Sequence, residues 1–281
     1  MEGESKESIG ELSPEEIYYI AKAAYELDIR KFKLTGGEPL VRNDIVDIVA
    51  KLASLKPLDL AITTNGYYLP DYVNELAKVG LKRINVSLPT LNHELYKTIT
   101  GVDGLDRVLE GIEKARRVGI NPIKLNFVYL RGLNENDVWD VINYAKERKL
   151  IVQVIELEPV GIPKSIFEKL YKDVSSFEKT ISLKALKVLR RPHMHNRPQY
   201  YLPDGAVVEI VRSYCNPEFC RHCTRLRLTA NGFLKTCLLR EQPLIDLTDI
   251  LKNENLGVRD KIERIKEKII KINSLREPYY K

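Results

Sequence analysis

Three of the four cysteines in this 281-residue chain stand as Cys220-x2-Cys223-x13-Cys237, a spacing that can wrap a metal. Two thiols three residues apart fit one loop around an ion. The third can return on the far strand of a hairpin whose turn is Asn231-Gly232. Counting in Cys215 gives C-x4-C-x2-C…C, which suits a four-thiolate zinc site or a plant-type [2Fe–2S] spacing. Counting it out leaves three ligands and one open metal position. In a cytosolic chain, four cysteines gathered in one short stretch favour metal ligation over disulfides.

Arg225-Leu226-Arg227 begins two residues after Cys223. If that stretch is extended, both guanidinium groups point to one face, toward whatever the cysteines hold. Paired arginines suit a phosphate or the acceptor edge of a guanine, against the plainer alternative of solvated surface charge. Thr35-Gly36-Gly37-Glu38-Pro39 ends a strand in a tight turn whose exposed N–H and C=O groups could hold a zwitterionic amino-acid group. A plain βα turn would use the same glycines. Thr63-Thr64-Asn65-Gly66 reads equally well as a turn with a left-handed Asn-Gly. Lys33 and Lys124 lie inside apolar strand runs. Burying a lysine there is costly unless it enters a polar cavity and meets an anion, the alternative being a rim position with a snorkelling stem. His193 and His195, in a proline-flanked loop without an acidic partner, read as surface residues, and His222 as at most a neighbour of the metal.

These residues hang on a regular frame. Ser13-Pro14-Glu15-Glu16 is a helix start with a capping serine and a glutamate at the third position. Short apolar runs come next at residues 31–34, 58–62, 84–86, 123–128 and 152–157, separated by amphipathic stretches at 45–55, 72–79, 104–118 and 136–149. Strand–helix repeats of this period predict parallel βαβ units in a doubly wound sheet or a (β/α) barrel. The barrel is favoured because the unusual residues cluster at the C-terminal ends of the strands, where barrels place their chemistry. Beyond Gly161 the pattern changes: residues 162–191 read as a helical linker, 192–198 as a loop, and 199–211 as a hairpin turning at Pro203-Asp204-Gly205. The cysteine module and an amphipathic helix over 259–275 complete the chain. The expected division is a partial barrel over 1–161 and a C-terminal extension over 162–281.

With 45 basic and 39 acidic residues the net charge is +6, a mild excess that fits an anionic small molecule. No basic stripe with interleaved aromatics indicates nucleic acid, and no apolar run is long enough to span a membrane. The expected location is the cytoplasm. Abundant Lys, Glu and Ile with scarce Met and Cys is a bias also seen in heat-adapted proteomes.

Taken together, the motifs resemble the MoaA family, the GTP 3',8-cyclases of molybdenum-cofactor synthesis within the radical SAM superfamily. The resemblance covers residues 12–247. It rests on Leu34-Thr35-Gly36-Gly37-Glu38-Pro39-Leu40-Val41-Arg42, on Thr63-Thr64-Asn65-Gly66, and on Ile84-Asn85-Val86-Ser87-Leu88. Most specific is Phe219-Cys220-x2-Cys223-x-Arg225-x-Arg227-x-Thr229-x-Asn231-Gly232-x4-Cys237-Leu238. The likeness implies an α/β fold, a partial (β/α) barrel with a C-terminal extension carrying a [4Fe–4S] cluster on Cys220, Cys223 and Cys237. The open iron would meet the purine of GTP, and Cys215 would be a bystander. Arg225, Leu226 and Arg227 match the segment that binds GTP; Lys33, Thr63 and Lys124 match further GTP contacts; Gly37 and Ser87 match positions that bind S-adenosylmethionine (SAM). The implied reaction is reductive cleavage of SAM, then hydrogen abstraction from the ribose of GTP and closure of the sugar onto the purine. The product would be (8S)-3',8-cyclo-7,8-dihydroguanosine 5'-triphosphate. An electron donor is implied, and a homodimer is compatible with the family.

The sequence departs from the family in places. The C-x3-C-x2-C loop of the SAM-cleaving cluster is absent, as is the first barrel strand, and residues 1–13 resemble the segment just after that loop. The expectation is a start set at an internal methionine, with the second [4Fe–4S] cluster held only by a full-length chain and this chain by itself inactive in cyclisation. The alternatives are a non-catalytic GTP-binding remnant and a zinc or ferredoxin-like module. Glu158 stands where relatives often have a SAM-contacting Met, and Gln153 where many have an Arg near GTP. The terminal Pro278-Tyr279-Tyr280-Lys281 lacks the family's glycine pair.

Overall fold

The computed structural model of the chain describes residues 10–277; the polar start and the last four residues lie outside the described residues. Helix α1 (Pro14–Glu26) begins where the sequence requires: the Glu16 N–H donates to the Ser13 hydroxyl at 3.3 Å, and the Ser13 N–H donates to the Glu16 carboxylate at 2.8 Å. Two otherwise unsatisfied donors of the first turn are thereby bonded. Then come β1 (Lys31–Leu34), α2 (Ile45–Ser54), β2 (Asp59–Thr64), α3 (Leu69–Lys78), β3 (Arg83–Ser87), α4 (His93–Thr100), α5 (Leu105–Arg117), β4 (Ile123–Tyr129), α6 (Val138–Glu147) and β5 (Ile151–Glu156). Beyond these lie α7 (Lys164–Leu170), α8 (Ser175–Lys184), β6 (Lys187–Arg191), β7 (Arg197–Tyr201), β8 (Val207–Val211), α9 (Pro217–Arg221), β9 (Arg227–Leu228), β10 (Phe233–Lys235), β11 (Ile245–Asp246), α10 (Thr248–Leu251) and α11 (Val258–Ser274).

The described residues form two compact units, one of residues 10–63, 72–83 and 225–277, the other of 64–71 and 84–224. In the first, β1 and β2 pair in parallel, and β9, β10 and β11 make a small antiparallel sheet. Its core joins Ile20, Ala23 and Ala24 of α1 to Leu234 and to Ile262, Ile265, Ile269 and Ile272 of α11. The 3-4-3 spacing of those isoleucines puts them on one helical stripe. Burial stabilises each by roughly 1.5–3 kcal/mol.

In the second unit the strand order is β3-β4-β5-β8-β7-β6. From β3 through β8 the pairing is parallel, and β6–β7–β8 is an antiparallel meander. The chain is thus an α/β protein with a mostly parallel sheet, as the strand–helix repeat predicts. The expected boundary at residue 161 falls between β5 and α7, and β8 continues the sheet of β3–β5 past it.

Two local expectations are corrected. The stretch expected to be helical through Arg191 ends with α8, and Lys187–Arg191 is a strand, because its backbone pairs with β7 from Lys187 opposite Tyr201 to Arg191 opposite Arg197. Its lysine and arginines suit an exposed sheet edge, which charge protects from further pairing. Helix α4, unforeseen, is announced by its caps: Asn92 Oδ1 accepts the Leu95 N–H at 2.9 Å, and Gly101 closes it at φ 77°.

The turn after β2 is a built structure. Thr64 Oγ1 accepts the Gly66 N–H and Asn65 Oδ1 accepts the Tyr67 N–H, each at 2.9 Å. In this turn Gly66 alone takes the left-handed conformation, at φ 86°, and an added Cβ would lie 2.9 Å from methyl carbons of both Val108 and Val86. Gly66→Ala should therefore cost about 2–4 kcal/mol, from left-handed strain plus overpacking. Denaturant unfolding would measure it; a variant as stable as the wild type would contradict the reading of this turn.

Candidate functional site

Lys124 is the residue the sequence marks most sharply, and the structure gives it an anion. It is 4% exposed in the middle of β4, and its Nζ lies 2.5 Å from Oε1 of Glu209, which is fully buried in β8. Around this pair one face of the sheet carries a row of polar side chains. The register sets Asn85 against Lys124, Asn126 against Gln153, Gln153 against Glu209, and Glu209 against Gln199. Residues opposite one another in a sheet share a face. Asn85 Nδ2 donates to Gln153 Oε1 at 2.7 Å, Gln153 donates to Glu209, and Gln199 Nε2 donates to Glu209 Oε1 at 3.1 Å. Arg191, the last residue of β6, brings Nη1 within 2.8 Å of the same carboxylate oxygen.

Two cations therefore share one carboxylate. Burial by itself would raise the Glu209 carboxyl, but the charge of Lys124 and the hydrogen bond and charge of Arg191 outweigh it and bring it down to about 2. Among the described residues, Nε and Nη2 of Arg191 are buried without a hydrogen-bond partner. Buried donors of that kind are rare in native proteins. Sequence reading missed Glu209 and Arg191. The signal for Glu209 was present: it interrupts the apolar run Val207-Val208-Glu209-Ile210-Val211 as Lys124 interrupts its own.

A second charged group lies at the end of β5. Glu156 is 2% exposed, its Oε1 accepts the Val174 N–H at 3.3 Å, and it lies 3.4 Å from Arg212. Burial raises its carboxyl to about 7, against the pull of Val174 N–H and Arg212 and with a further push from Asp173. Arg212 also reaches Asp173 at 3.6 Å and Glu178 at 3.4 Å. Glu158, two residues on, is half-buried and accepts the hydroxyl of Ser213. Ser87 is half-buried at the end of β3.

In the other unit, Lys33 pairs in register with Ala61, so Lys33 and Thr63 point to the same face of the β1–β2 pair. Among the described residues the hydroxyl of Thr63 is buried without a hydrogen-bond partner. Gly37 follows β1 in an exposed turn, and an added Cβ there would meet no protein atom within 4 Å. Packing inside the chain thus gives no reason for a glycine, whereas a ligand against that backbone would. Glu38 is the turn's own cap, its carboxylate accepting the Leu40 N–H at 3.0 Å. Leu226 and Leu228 pack against the apolar core, and only Arg227–Leu228 pairs as a strand, so Arg227 is half-buried in β9 and Arg225 is exposed before it. The Nε of Arg227 is also buried without a hydrogen-bond partner among the described residues.

The cysteines are divided between the units. Cys220 lies in α9 and Cys223 one turn later, where its N–H donates to the Cys220 carbonyl at 3.0 Å. Cys237 follows β10 on the returning arm of the hairpin, whose Gly232 takes φ 93° as the Asn-Gly turn predicts. These three are half-buried, Cys215 is exposed, and none forms a disulfide. Among the described residues no group of three or more His, Cys, Asp and Glu side chains is arranged to hold a metal ion as it stands. One sequence expectation is overturned here: His195 is a buried residue, 6% exposed, its ring stacked on Phe219. The side chain of His193 lies outside the described residues.

Residues 3–145 match the Radical SAM superfamily, and residues 150–281 match Molybdenum Cofactor Synthesis C. The chain is 42% identical, over its whole length and 88% of the relative, to a "Probable GTP 3',8-cyclase" of Metallosphaera sedula. It is 44% identical to the proteins of the same name from Sulfurisphaera tokodaii and Thermococcus kodakarensis, covering 88% and 90% of them. The chain belongs to the radical SAM family of GTP 3',8-cyclases. Membership of that family implies SAM and a [4Fe–4S] cluster. An isolated zinc or ferredoxin-like module is not favoured by matches that span the whole chain. Among solved structures, SuiB of Streptococcus suis bound to S-adenosylmethionine superposes with a TM-score of 0.64 at 19% identity. The superposition covers 92% of this chain and 60% of that one, a likeness of fold alone. No helix among the described residues is long and apolar enough to cross a membrane.

The Glu209 row makes a testable demand. A carboxyl held at about 2 when folded and near its ordinary value when unfolded binds its proton more readily in the unfolded chain. Its stabilisation is complete above about pH 4.5 and is lost as pH falls through the folded value, amounting to about 3 kcal/mol. Glu209→Gln leaves Lys124 and Arg191 uncompensated and should cost about 3–5 kcal/mol at neutral pH. It should also flatten the stability loss between about pH 4.5 and pH 2. Urea unfolding at a series of pH values measures both, and an unchanged midpoint in the variant would contradict the assignment.

Proposed function

We propose that the chain acts as a GTP 3',8-cyclase, converting GTP to (8S)-3',8-cyclo-7,8-dihydroguanosine 5'-triphosphate with SAM as radical source and an external electron donor. The observation that carries this reading is the match, across the whole chain at 42–44% identity, to proteins named for that reaction. In this reading Cys220, Cys223 and Cys237 hold a [4Fe–4S] cluster in the C-terminal part of the chain, and Cys215 takes no part. The chemistry of the donor set fits, because three thiolates with one position left open are what such a cluster needs to meet a substrate. When bound, it would supply a Lewis-acidic iron for the purine.

The chain's own residues take the remaining roles. Arg225 and Arg227 bind GTP, Arg227 with an Nε that finds no hydrogen-bond partner among the described residues. Thr63 offers its unpartnered hydroxyl and Lys33 a cation on the same face. Lys124 and Arg191 together carry one positive charge more than Glu209 balances, which favours the phosphates of the nucleotide. The open backbone at Gly37, with Ser87 and Glu158, faces SAM. All four cysteines lie between residues 215 and 237, in the part of the chain that would hold the C-terminal cluster.

The test is anaerobic reconstitution of the chain with iron and sulfide, followed by metal analysis and GTP binding. About four irons per chain should be retained in Cys215→Ala and lost in Cys220→Ala, Cys223→Ala and Cys237→Ala. Arg225→Ala and Arg227→Ala should each weaken GTP binding by about tenfold or more. Zinc without sulfide, or iron lost with Cys215, would overturn the reading.

A further inference from the structure

Helix α9, which carries Cys220, spans only Pro217–Arg221. A helix of this length has almost no stability of its own in water, so its position depends on what holds it from outside. Its start is fixed locally: Asn216 Oδ1 accepts the N–H groups of Glu218 and Phe219 at 3.1 and 3.3 Å, and Asn216 Nδ2 donates to the Arg212 carbonyl at 2.9 Å. These bonds tie the start of the helix to its own neighbouring chain.

The outside hold comes from the loop between β6 and β7. His195 and Asn196 both adopt the left-handed conformation, at φ 62° and 53°. Two successive left-handed residues without a glycine cost roughly 1–2 kcal/mol each, so the surroundings must enforce them. What enforces them is α9. The His195 ring lies flat on Phe219, with centroids 4.2 Å apart and planes within 5°. Asn196 Nδ2 donates to Glu218 Oε1 at 3.0 Å. Both gripped residues directly precede Cys220. Behind the clasp, Arg197 Nε donates to the Met194 carbonyl at 3.0 Å and closes the loop on itself. At the loop's other end Arg191 is fastened to Glu209.

We infer that His195 and Asn196 are positioning residues for the Cys220 ligand: the β6–β7 loop clasps α9 through the His195–Phe219 stack and the Asn196–Glu218 hydrogen bond, holding Cys220 and Cys223 ready for an iron–sulfur cluster. This rests on the proposed role of the cysteines and extends it to side chains that touch neither cluster nor substrate. Because the loop starts directly after Arg191 at the end of β6, it joins the polar row of the sheet to the cysteine helix by a single short connection.

The experiment uses the reconstituted chain, challenged with rising concentrations of a ferrous-iron chelator while cluster absorption and the electron paramagnetic resonance signal of the reduced protein are followed. His195→Gly relieves the left-handed strain but removes the stack, and Asn196→Gly does the same for the hydrogen bond. Both should surrender the cluster at about tenfold lower chelator concentration, the size expected for supports one step removed from a metal. His195→Phe, which keeps an aromatic ring on Phe219, should hold it better than His195→Gly. Thermal midpoints of the cluster-free variants should stay close to wild type, since the glycines relax strain. Wild-type cluster retention in both glycine variants would overturn the inference. So would a loss accompanied by an equal loss of fold in the cluster-free state. A wild-type chain that takes up no cluster would instead overturn the proposed role of the cysteines, and this inference with it.

Discussion

Much of this molecule turns on a single carboxylate. Glu209 is fully buried, and it accepts from Lys124, Arg191, Gln153 and Gln199, residues from four different strands. Ion pairs of this kind are poor stabilisers compared with apolar packing of equal volume, because both partners give up their water. A sheet built only for stability would put leucine or valine there, as the other face does with Leu125, Val152, Val154, Val208 and Ile210. The row is better understood as a polar surface assembled in advance, with each side chain held by its neighbour so that little reorganisation remains when an anion arrives. Positive charge exceeds negative within it, and the ordinary attraction of an arginine for a phosphate supplies the rest of the logic.

The same carboxylate explains how the chain's later segments become part of the sheet. β8 aligns with β5 so that Glu209 stands opposite Gln153, and β7 aligns so that Gln199 stands opposite Glu209. A shift of one residue in the β5–β8 pairing would turn the carboxylate to the other face, leaving Lys124 buried without an anion, and one in the β7–β8 pairing would turn Gln199 away from it. Register and site are therefore specified together. The β6–β7 loop then carries the order of the sheet outward to α9 and the first two cysteines.

Several of these features were legible in the sequence. The five strand runs through residue 157, the Asn231-Gly232 hairpin and the capping box at Ser13 depend on local periodicity and turn chemistry, and they stand where those rules put them. Lys124 was conspicuous because a lysine inside Ile123–Tyr129 violates the apolar pattern. Its partner carried the same violation, but nothing in a one-dimensional pattern says that two such positions 85 residues apart meet. Lys187–Arg191 was unreadable for a different reason. An edge strand exposed on most of its length has no burial period, and its charges look like those of a solvated helix. His195 was misread because burial by an aromatic stack depends on where Phe219 arrives, and a left-handed histidine has no sequence signature comparable with Asn-Gly.

The central claim is that the buried row was built for an anion and that the anion is the phosphate end of a guanine nucleotide. Calorimetric titration of the reconstituted chain with GTP and with guanosine, at low and at high salt, tests it most directly. GTP should bind more tightly than guanosine by about tenfold or more. The gap should narrow as salt screens the charges. Equal affinity for the two, unchanged by salt, would contradict it.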